Sequence, residues 1–184
     1  MPDHAELLCA TPFSFLEGAS HAEELVGQSK ALGLAALGVA DRNTVAGVVR
    51  AHEAARKEGL RLLVGARLAF ADGTPEVVVY PVDRAAWGRL TTLLTLGKRR
   101  AKKGECLLTR ADLAAHAAGL VGIVVPPQEG VARVLAELRE VLGGRAWVAA
   151  RRAHGADDAR RLGVLAAAAA QARVPMLATH DVLY

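Results

Sequence analysis

Residues 32–52 read LGLAALGVADRNTVAGVVRAH, and this stretch decides the fold class. An apolar run of the length of one buried strand ends at Asp41, a polar turn follows, and a helical pattern begins at Val45. Residues 6–25, ELLCATPFSFLEGASHAEEL, repeat the same order of strand, loop and helix. Units of this kind pair their strands in parallel beneath covering helices, so we predict an α/β fold.

The same alternation continues through the rest of the chain. Further strands are predicted at RLLVGARLAF, EVVVY, LVGIVV, AWVAA and PMLATHDVLY. A βα barrel of the usual kind needs about 250 residues, whereas this chain has 184 and ends as a strand ends. We therefore expect a single domain over residues 1–184 that is incomplete at its C-terminus and forms the front part of a larger protein.

Polar residues placed before the helical patterns predict where the helices begin. A Ser or Thr followed three residues later by an acidic residue is a capping box, and a lone Asp, Asn or Thr also caps a helix. The predicted caps are the Ser20–Glu23 box, Asn43 or Thr44, Asp83 and the Thr109–Asp112 box.

Composition excludes several classes of protein. Hydrophobic residues make up 52% of the chain and aromatic residues only 4%, which is typical of helices packed on buried parallel strands. No apolar run is both long and uncharged enough to span a bilayer, and no secretion signal is present. Cys9 and Cys106 lack the spacing of a disulfide framework or a zinc site, so we expect a reduced, cytoplasmic protein without membrane contact. A net charge of +4 permits contact with nucleic acid.

The ends of the first two strands lack residues able to do chemistry. Barrels of this class keep their active sites at the carboxyl ends of the strands. Here those ends carry Leu8, Cys9, Ala10 and Arg42. Phosphate-binding glycine loops and a Gly-x-Ser-x-Gly nucleophile elbow are also absent from the sequence.

Several long stretches nevertheless resemble one family. They are FSFLEGASHAEELV, ALGLAALGVADRNTVAGVVRAH, GLRLLVGARLAFADG, VVVYPVDRAAWGRLTTLLTLGKRRAKKGEC and VPMLATHDVLY. Together they resemble the N-terminal polymerase-and-histidinol-phosphatase (PHP) domain of bacterial DNA polymerase III alpha subunits, most of all the error-prone, damage-inducible ones. The resemblance implies a distorted βα barrel of mostly parallel strands. In active members the strand ends hold a cluster of metal ions that hydrolyses phosphoesters.

The ligand motifs of active members are largely replaced in this chain. Leu8 and Ala10 stand where the first strand of active members carries His-x-His, and Asp41-Arg42 stands for Asp-His. Arg67 replaces a glutamate, and the closing Asp-x-His becomes Asp181, Val182 and Leu183. The seven vestigial positions are thus Leu8, Ala10, Asp41, Arg42, Arg67, Asp181 and Leu183.

These replacements predict loss of the hydrolase chemistry. Clustered divalent ions need several carboxylate or imidazole ligands, and arginines place fixed positive charge where cations would sit. We expect no catalytic residue and no bound metal or other cofactor in this chain. As a hypothesis, Arg42 and Arg67 occupy the vacated volume and pair with Asp41 and Asp181, because one guanidinium can bridge two carboxylates.

The sequence allows two interpretations for each of three residues, Asp41, His180 and Cys9. Asp41 is at least as well explained as a cap of the helix that follows it. His180 is either a lone metal ligand or, as we prefer, a hydrogen-bonding loop residue. Cys9 is predicted to be a buried apolar side chain rather than a nucleophile. The other histidines, His4 among them, suggest no cluster.

A basic loop is the remaining candidate for function. Its cations are Lys98, Arg99, Arg100, Lys102 and Lys103. They are suited to sequence-independent phosphate contacts, although positive charge at a helix C-terminus is equally expected in a solvated loop. Contact with DNA or a partner and simple solvation therefore remain equal alternatives.

Three functions follow from the sequence. We favour a non-catalytic module of an error-prone polymerase in translesion synthesis. Its partners would be the rest of the polymerase chain, DNA and other proteins of the mutagenesis complex. The resemblance implies that Mg²⁺ for nucleotidyl transfer is held by a palm domain absent from this chain. The alternatives are a residual phosphoesterase or 3′–5′ exonuclease using Asp41, His180 and Asp181 around one ion, and a stand-alone interaction domain.

Overall fold

A computed structural model describes residues 4–182 of the chain, and these residues fall into two compact units. The first unit comprises residues up to Arg67 together with the segment that begins at Thr179, and the second comprises Leu68–Ala178. Strands and helices alternate along both units, and most of the strand pairs within the units are parallel. The predicted α/β class is therefore confirmed.

The first unit contains a parallel sheet covered by two helices. In chain order its elements are β1 (Ala5–Cys9), α1 (Ala22–Ala31), β2 (Ala36–Arg42), α2 (Val48–Glu58) and β3 (Arg61–Leu68). β2 lies beside both other strands, and its register with β3 sets Asp41 opposite Ala66 and Arg42 opposite Arg67. The segment after Thr179 returns to β1, where Val182 exchanges backbone hydrogen bonds with Leu8 and Ala10.

The helix-covered face of this sheet holds the apolar core of the first unit. Side chains of both helices pack there against one face of the strands. The cluster consists of Cys9, Ala22, Leu25, Val26, Leu37, Val39, Ala51, Ala55 and Leu60. Leu8 and Ala10, on either side of Cys9, are also buried but do not belong to this cluster.

The second unit contains four strands and four helices. In chain order these are β4 (Val77–Pro81), α3 (Arg84–Arg100), α4 (Arg110–His116), β5 (Leu120–Val124), α5 (Val131–Val141), β6 (Ala146–Ala150), α6 (Asp158–Ala172) and β7 (Met176–Ala178). β4 pairs antiparallel with β5, and β5, β6 and β7 then pair in parallel. Leucines fill its core. Those with almost no exposed surface are Leu68, Leu90, Leu93, Leu108, Leu113, Leu120, Leu135, Leu138 and Leu142.

The structure confirms two of the predicted helix caps. The Asp83 carboxylate accepts a hydrogen bond from the backbone N–H of Ala86 at 2.7 Å. The Thr109 hydroxyl accepts one from the backbone N–H of Asp112, and the Asp112 carboxylate accepts one in return from the backbone N–H of Thr109.

The predicted starts of α1 and α2 need correction. The α1 box is His21–Glu24, one residue later than predicted, because the Glu24 carboxylate accepts from the backbone N–H of His21 at 2.7 Å. Neither Asn43 nor Thr44 caps α2, whose N-cap residue is Gly47. The loop before α2 is thus longer than the polar residues suggested.

The structure also places the basic stretch differently from the prediction. α3 continues through Arg100, so Lys98, Arg99 and Arg100 form its last helical turn, and Lys102 and Lys103 follow it.

In the described part of the chain, no helix combines the length and apolar character needed to cross a bilayer.

Candidate functional site

The vestigial positions that the structure describes on the first three strands lie at the carboxyl ends of β1, β2 and β3 in the first unit. Leu8 and Ala10 are buried there, 2% and 3% exposed, and offer no polar atom from their side chains. Leu62 packs against the helix-covered core, so alternation along β3 places Arg67 on the opposite face of the sheet. The vestigial positions of β1 and β3 thus carry two buried apolar side chains and a largely buried guanidinium.

Asp41 is held by hydrogen-bond donors from the loop after β1. Its carboxylate is 1% exposed. It accepts from the backbone N–H of Thr11 at 2.7 Å, from the Thr11 hydroxyl at 2.8 Å and from the Ser14 hydroxyl at 2.8 Å. Asp41 therefore neither caps α2 nor pairs with Arg42, and both interpretations offered by the sequence are wrong.

Arg67 and Asp181 form the ion pair expected from the sequence. The Arg67 Nη1 donates to Asp181 Oδ1 at 2.8 Å, and Nη2 donates to Oδ2 at 3.4 Å. Their side chains are 9% and 11% exposed, respectively. This two-point contact ties the end of β3 to the segment that returns to β1.

Arg42 turns toward the loop after β1. Its Nη1 lies 2.5 Å from Glu17 Oε1, and its side chain is 42% exposed. Its backbone N–H donates to the Ser14 hydroxyl at 3.0 Å. The predicted pairing of Arg42 with Asp41 is therefore replaced by an exposed pair with Glu17. Leu183, the last of the vestigial positions, lies outside the described residues.

A second polar cluster adjoins the start of β1, and the sequence did not reveal it. The Glu6 carboxylate is 3% exposed. It accepts from the Thr179 hydroxyl, from the backbone N–H of Leu8 at 2.9 Å and from the backbone N–H of His180 at 2.7 Å. Burial opposes ionisation, but these bonds outweigh it and hold the pKa of Glu6 below its ordinary value.

Two histidines complete this cluster. His180 places its ring Nδ1 3.1 Å from Glu6 Oε2, so it makes a hydrogen-bonding contact of the kind that we preferred for it. The ring of His4 packs edge-on against that of His180, with centroids 5.9 Å apart. The expectation that His4 belongs to no cluster is wrong. Only the return of residues 179–182 to β1 brings these side chains together, and no local spacing signals it.

Cys9 behaves as an apolar core residue, as predicted. Burial raises the pKa of its thiol, and the nearby charges of Glu6 and Asp181 raise it further. A protonated buried thiol is a poor nucleophile.

The basic cluster (Lys98, Arg99, Arg100, Lys102 and Lys103) lies in the second unit and is exposed. Arg100 is engaged there, because its Nη1 donates to the Asp112 carboxylate at 2.7 Å. Burial acts against ionisation of Asp112, but hydrogen bonds from Arg100 and Thr109 prevail and lower the pKa of its carboxyl. Arg100 thus secures the second capping box as well as contributing positive charge.

Comparison with known proteins identifies the family. The model of the PHP domain matches residues 6–169. The chain belongs to the PHP domain family. It is 50% identical to an error-prone DNA polymerase of Caulobacter vibrioides over 186 aligned residues, a match that covers 100% of this chain and 17% of that protein. An error-prone DNA polymerase of Brucella abortus is 49% identical and is covered to 18%. The chain therefore spans about a sixth of the length of these relatives.

Solved structures confirm the PHP-type fold. A putative metal-dependent phosphoesterase from Bifidobacterium adolescentis matches 100% of this chain and 89% of its own, with a TM-score of 0.70 and 16% identity. An amidohydrolase from Chromobacterium violaceum matches with a TM-score of 0.66 and 14% identity, covering 98% of this chain and 87% of its own. At these identities the likeness concerns the fold alone.

The side chains at the strand ends do not fit the metal cluster that the family implies. Of the six vestigial positions that the structure describes, only Asp41 and Asp181 carry carboxylates. Asp41 is bonded to two hydroxyls and Asp181 to a guanidinium. A multinuclear cluster needs several more anionic or imidazole ligands to offset the repulsion between its ions.

Proposed function

We propose that the chain is the PHP module of an error-prone DNA polymerase acting in translesion synthesis and damage-induced mutagenesis, and that it scaffolds the polymerase without hydrolysing DNA. The similarity to error-prone polymerases over the full chain supports the assignment to that class. The partial coverage of those relatives supports a role as one part of a larger polymerase. The domain 1–184 is then a single module within that protein.

One observation carries the non-catalytic part of this proposal. The guanidinium of Arg67 pairs with Asp181 through both carboxylate oxygens at the strand ends. A guanidinium keeps its proton at any pH a protein tolerates, so it opposes a nearby divalent cation permanently. Leu8 and Ala10, buried at the end of β1, supply no ligand to compensate.

Polymerisation itself belongs elsewhere in this proposal. Nucleotidyl transfer by such a polymerase needs Mg²⁺ held by carboxylates of a palm domain, and we expect these outside the 184 residues. The chain alone should bind no Mg²⁺ for this purpose and extend no primer.

A degradation assay tests the proposal directly. The purified chain is incubated with 3′-labelled single-stranded DNA in Mg²⁺, Mn²⁺ and Zn²⁺ in turn. We expect no release of label above the rate without protein in any metal. Metal-dependent release that Asp41→Ala or Asp181→Ala abolishes, and that the exposed control Asp157→Ala retains, would instead establish the residual phosphoesterase. The structure gives that alternative little support, because Asp41, His180 and Asp181 each have different partners.

The basic cluster is the part of this proposal that concerns DNA. Its five cations are exposed within one helical turn and the residues after it. Such a cluster suits phosphate contacts, which are independent of base sequence and sensitive to salt. We propose that it contacts the DNA backbone in the polymerase, and that this contact weakens as the salt concentration rises.

A further inference from the structure

We propose that His4, Glu6 and His180 form a binding site for one divalent transition-metal ion of the zinc class. The site is distinct from the seven vestigial positions and from the hydrolytic cluster of the family. One ligand atom from each of the three residues lies within 4.8 Å of the other two. Two imidazoles and a carboxylate form the donor set of many zinc sites with an open fourth position, whereas Mg²⁺ and Ca²⁺ prefer oxygen ligands alone.

The unpaired ring nitrogen of His4 is the observation that points to a ligand. His4 Nε2 is buried, and none of the described residues forms a hydrogen bond with it. Burying such an atom without a partner costs about 1–3 kcal/mol. A metal bond at this nitrogen would satisfy it, and Glu6 and His180 are the neighbouring groups able to share the same ion.

Glu6 is already oriented to serve as a ligand. The Thr179 hydroxyl and the backbone N–H of Leu8 hold Oε1, and the backbone N–H of His180 holds Oε2. Groups that orient a metal ligand in this way commonly decide its affinity.

The geometry of the second imidazole fits a shared ion and provides access for it. His180 Nδ1 and Glu6 Oε2 are 3.1 Å apart. Two ligand atoms bound tetrahedrally at about 2.0–2.1 Å lie about 3.3 Å apart, so these two atoms need almost no movement. The His180 side chain is 77% exposed, which leaves a path from solvent. The ligand nitrogen of His4 lies within 4.8 Å of the other two ligand atoms and has to move closer to them. His4 directly precedes β1.

Bound there, the ion would fasten two parts of the first unit. His4 precedes β1, and His180 belongs to the segment that returns to β1 near Val182. A ligand that binds only the folded state stabilises it by an amount that rises with the logarithm of the ligand concentration above the dissociation constant. The site would therefore stabilise the closing of this segment onto β1, a role that requires no hydrolysis.

Cobalt titration of the 184-residue chain tests this inference. The protein is freed of any histidine tag and of metal, and Co²⁺ is added while the visible absorption of four-coordinate cobalt is followed. We expect saturation at one equivalent and displacement by Zn²⁺. His180→Asn and His4→Phe should each weaken binding more than about tenfold, which is the least that loss of even an outer-shell partner commonly causes. The exposed His52→Asn should bind as the unchanged chain does.

Zn²⁺ should also raise the unfolding midpoint of the unchanged chain and of His52→Asn, but not of the two site variants. His180→Asn alters an exposed side chain, and circular dichroism should confirm that its fold is intact. Absence of saturable one-to-one binding, or equal binding by both site variants and the control, would overturn the inference. Both readouts measure binding, so their outcome is independent of the degradation assay.

Discussion

Asp41 and Asp181 are the two carboxylates that remain at the strand ends, and different chemistry stabilises each of them. Two hydroxyls and a backbone N–H surround Asp41, whereas Asp181 faces a guanidinium. A buried carboxylate is tolerated only when hydrogen bonds or an opposite charge replace its water. The two carboxylates are therefore stabilised by two separate sets of contacts.

Asp41→Ala should lower the free energy of unfolding by about 3 kcal/mol, because it leaves the buried donors of Thr11 and Ser14 without an acceptor. Urea unfolding of the purified variant measures the change. The matched control is Asp157→Ala, whose carboxylate is exposed and caps no helix through its side chain. We expect the control to stay within about 0.5 kcal/mol of the unchanged chain. Equal effects of the two variants would contradict this assignment for Asp41.

Arg67→Met should also destabilise the chain by about 3 kcal/mol, because removing one partner of a largely buried pair leaves the other charge uncompensated. The double variant Arg67→Met with Asp181→Asn should recover most of that loss. Asparagine suits position 181, where the backbone φ of 54° favours Gly, Asn or Asp. Urea unfolding of the single and double variants supplies the comparison. A double variant no more stable than Arg67→Met would show that the ion pair is not the cause.

The N-terminus of α2 packs unusually closely on Asp41. A Cβ added to Gly47 would lie 2.5 Å from Asp41 Oδ2 and 2.6 Å from the Thr11 hydroxyl oxygen. The backbone φ of Gly47 is −72°, so any residue could adopt its conformation. Space rather than backbone freedom therefore requires glycine here. This contact positions α2 against the loop that holds Asp41.

Gly47→Ala should destabilise the chain by more than about 1 kcal/mol, because the helix and the loop must move apart. The same substitution at Gly27, within α1 and with no atom within 4 Å of an added Cβ, should stabilise by about 0.5–1 kcal/mol. Thermal unfolding of the two variants in parallel checks the opposite signs. A stabilising Gly47→Ala would show that the close contact with Asp41 does not restrict the helix.

The contact between α3 and α4 predicts a dependence of stability on pH. Hydrogen bonds from Arg100 and Thr109 outweigh burial and lower the pKa of Asp112 in the folded chain. A depressed pKa contributes stability that is fully present above the ordinary carboxyl value, about 4, and is lost as pH falls below it. The free energy of unfolding should therefore fall between about pH 5 and pH 3, and less steeply in Asp112→Asn. Urea titrations at several pH values measure both slopes, and identical slopes would exclude Asp112 as a contributor.

Over the whole chain, the sequence predicted what depends on local pattern and missed what depends on distant residues meeting. Apolar runs located the strands, and Asp83 and Thr109 marked helix starts correctly because a cap acts within one turn. Residue type alone showed that Leu8 and Ala10 could not be ligands. It could not show that Thr11 and Ser14 form hydrogen bonds with Asp41, or that Arg42 pairs with Glu17 instead. Glu6 and His180 are separated by most of the chain, so only the completed fold could reveal their contact with His4.

The net charge of +4 and the position of the basic cluster predict how the whole molecule should bind DNA. For single strands, the logarithm of the binding constant falls with the logarithm of salt concentration by about 0.7 for each phosphate contacted. Replacing Lys98, Arg99, Lys102 and Lys103 with alanine should therefore reduce this slope by about 2.8. Arg100 is retained because its loss would disturb the α4 cap.

The control replaces the exposed Lys30, Arg56, Lys57 and Arg160, which removes the same charge. Fluorescence anisotropy with labelled single-stranded DNA at several salt concentrations gives both slopes. If the control lowers the slope as much as the cluster variant does, total charge governs binding and the cluster is no specific contact.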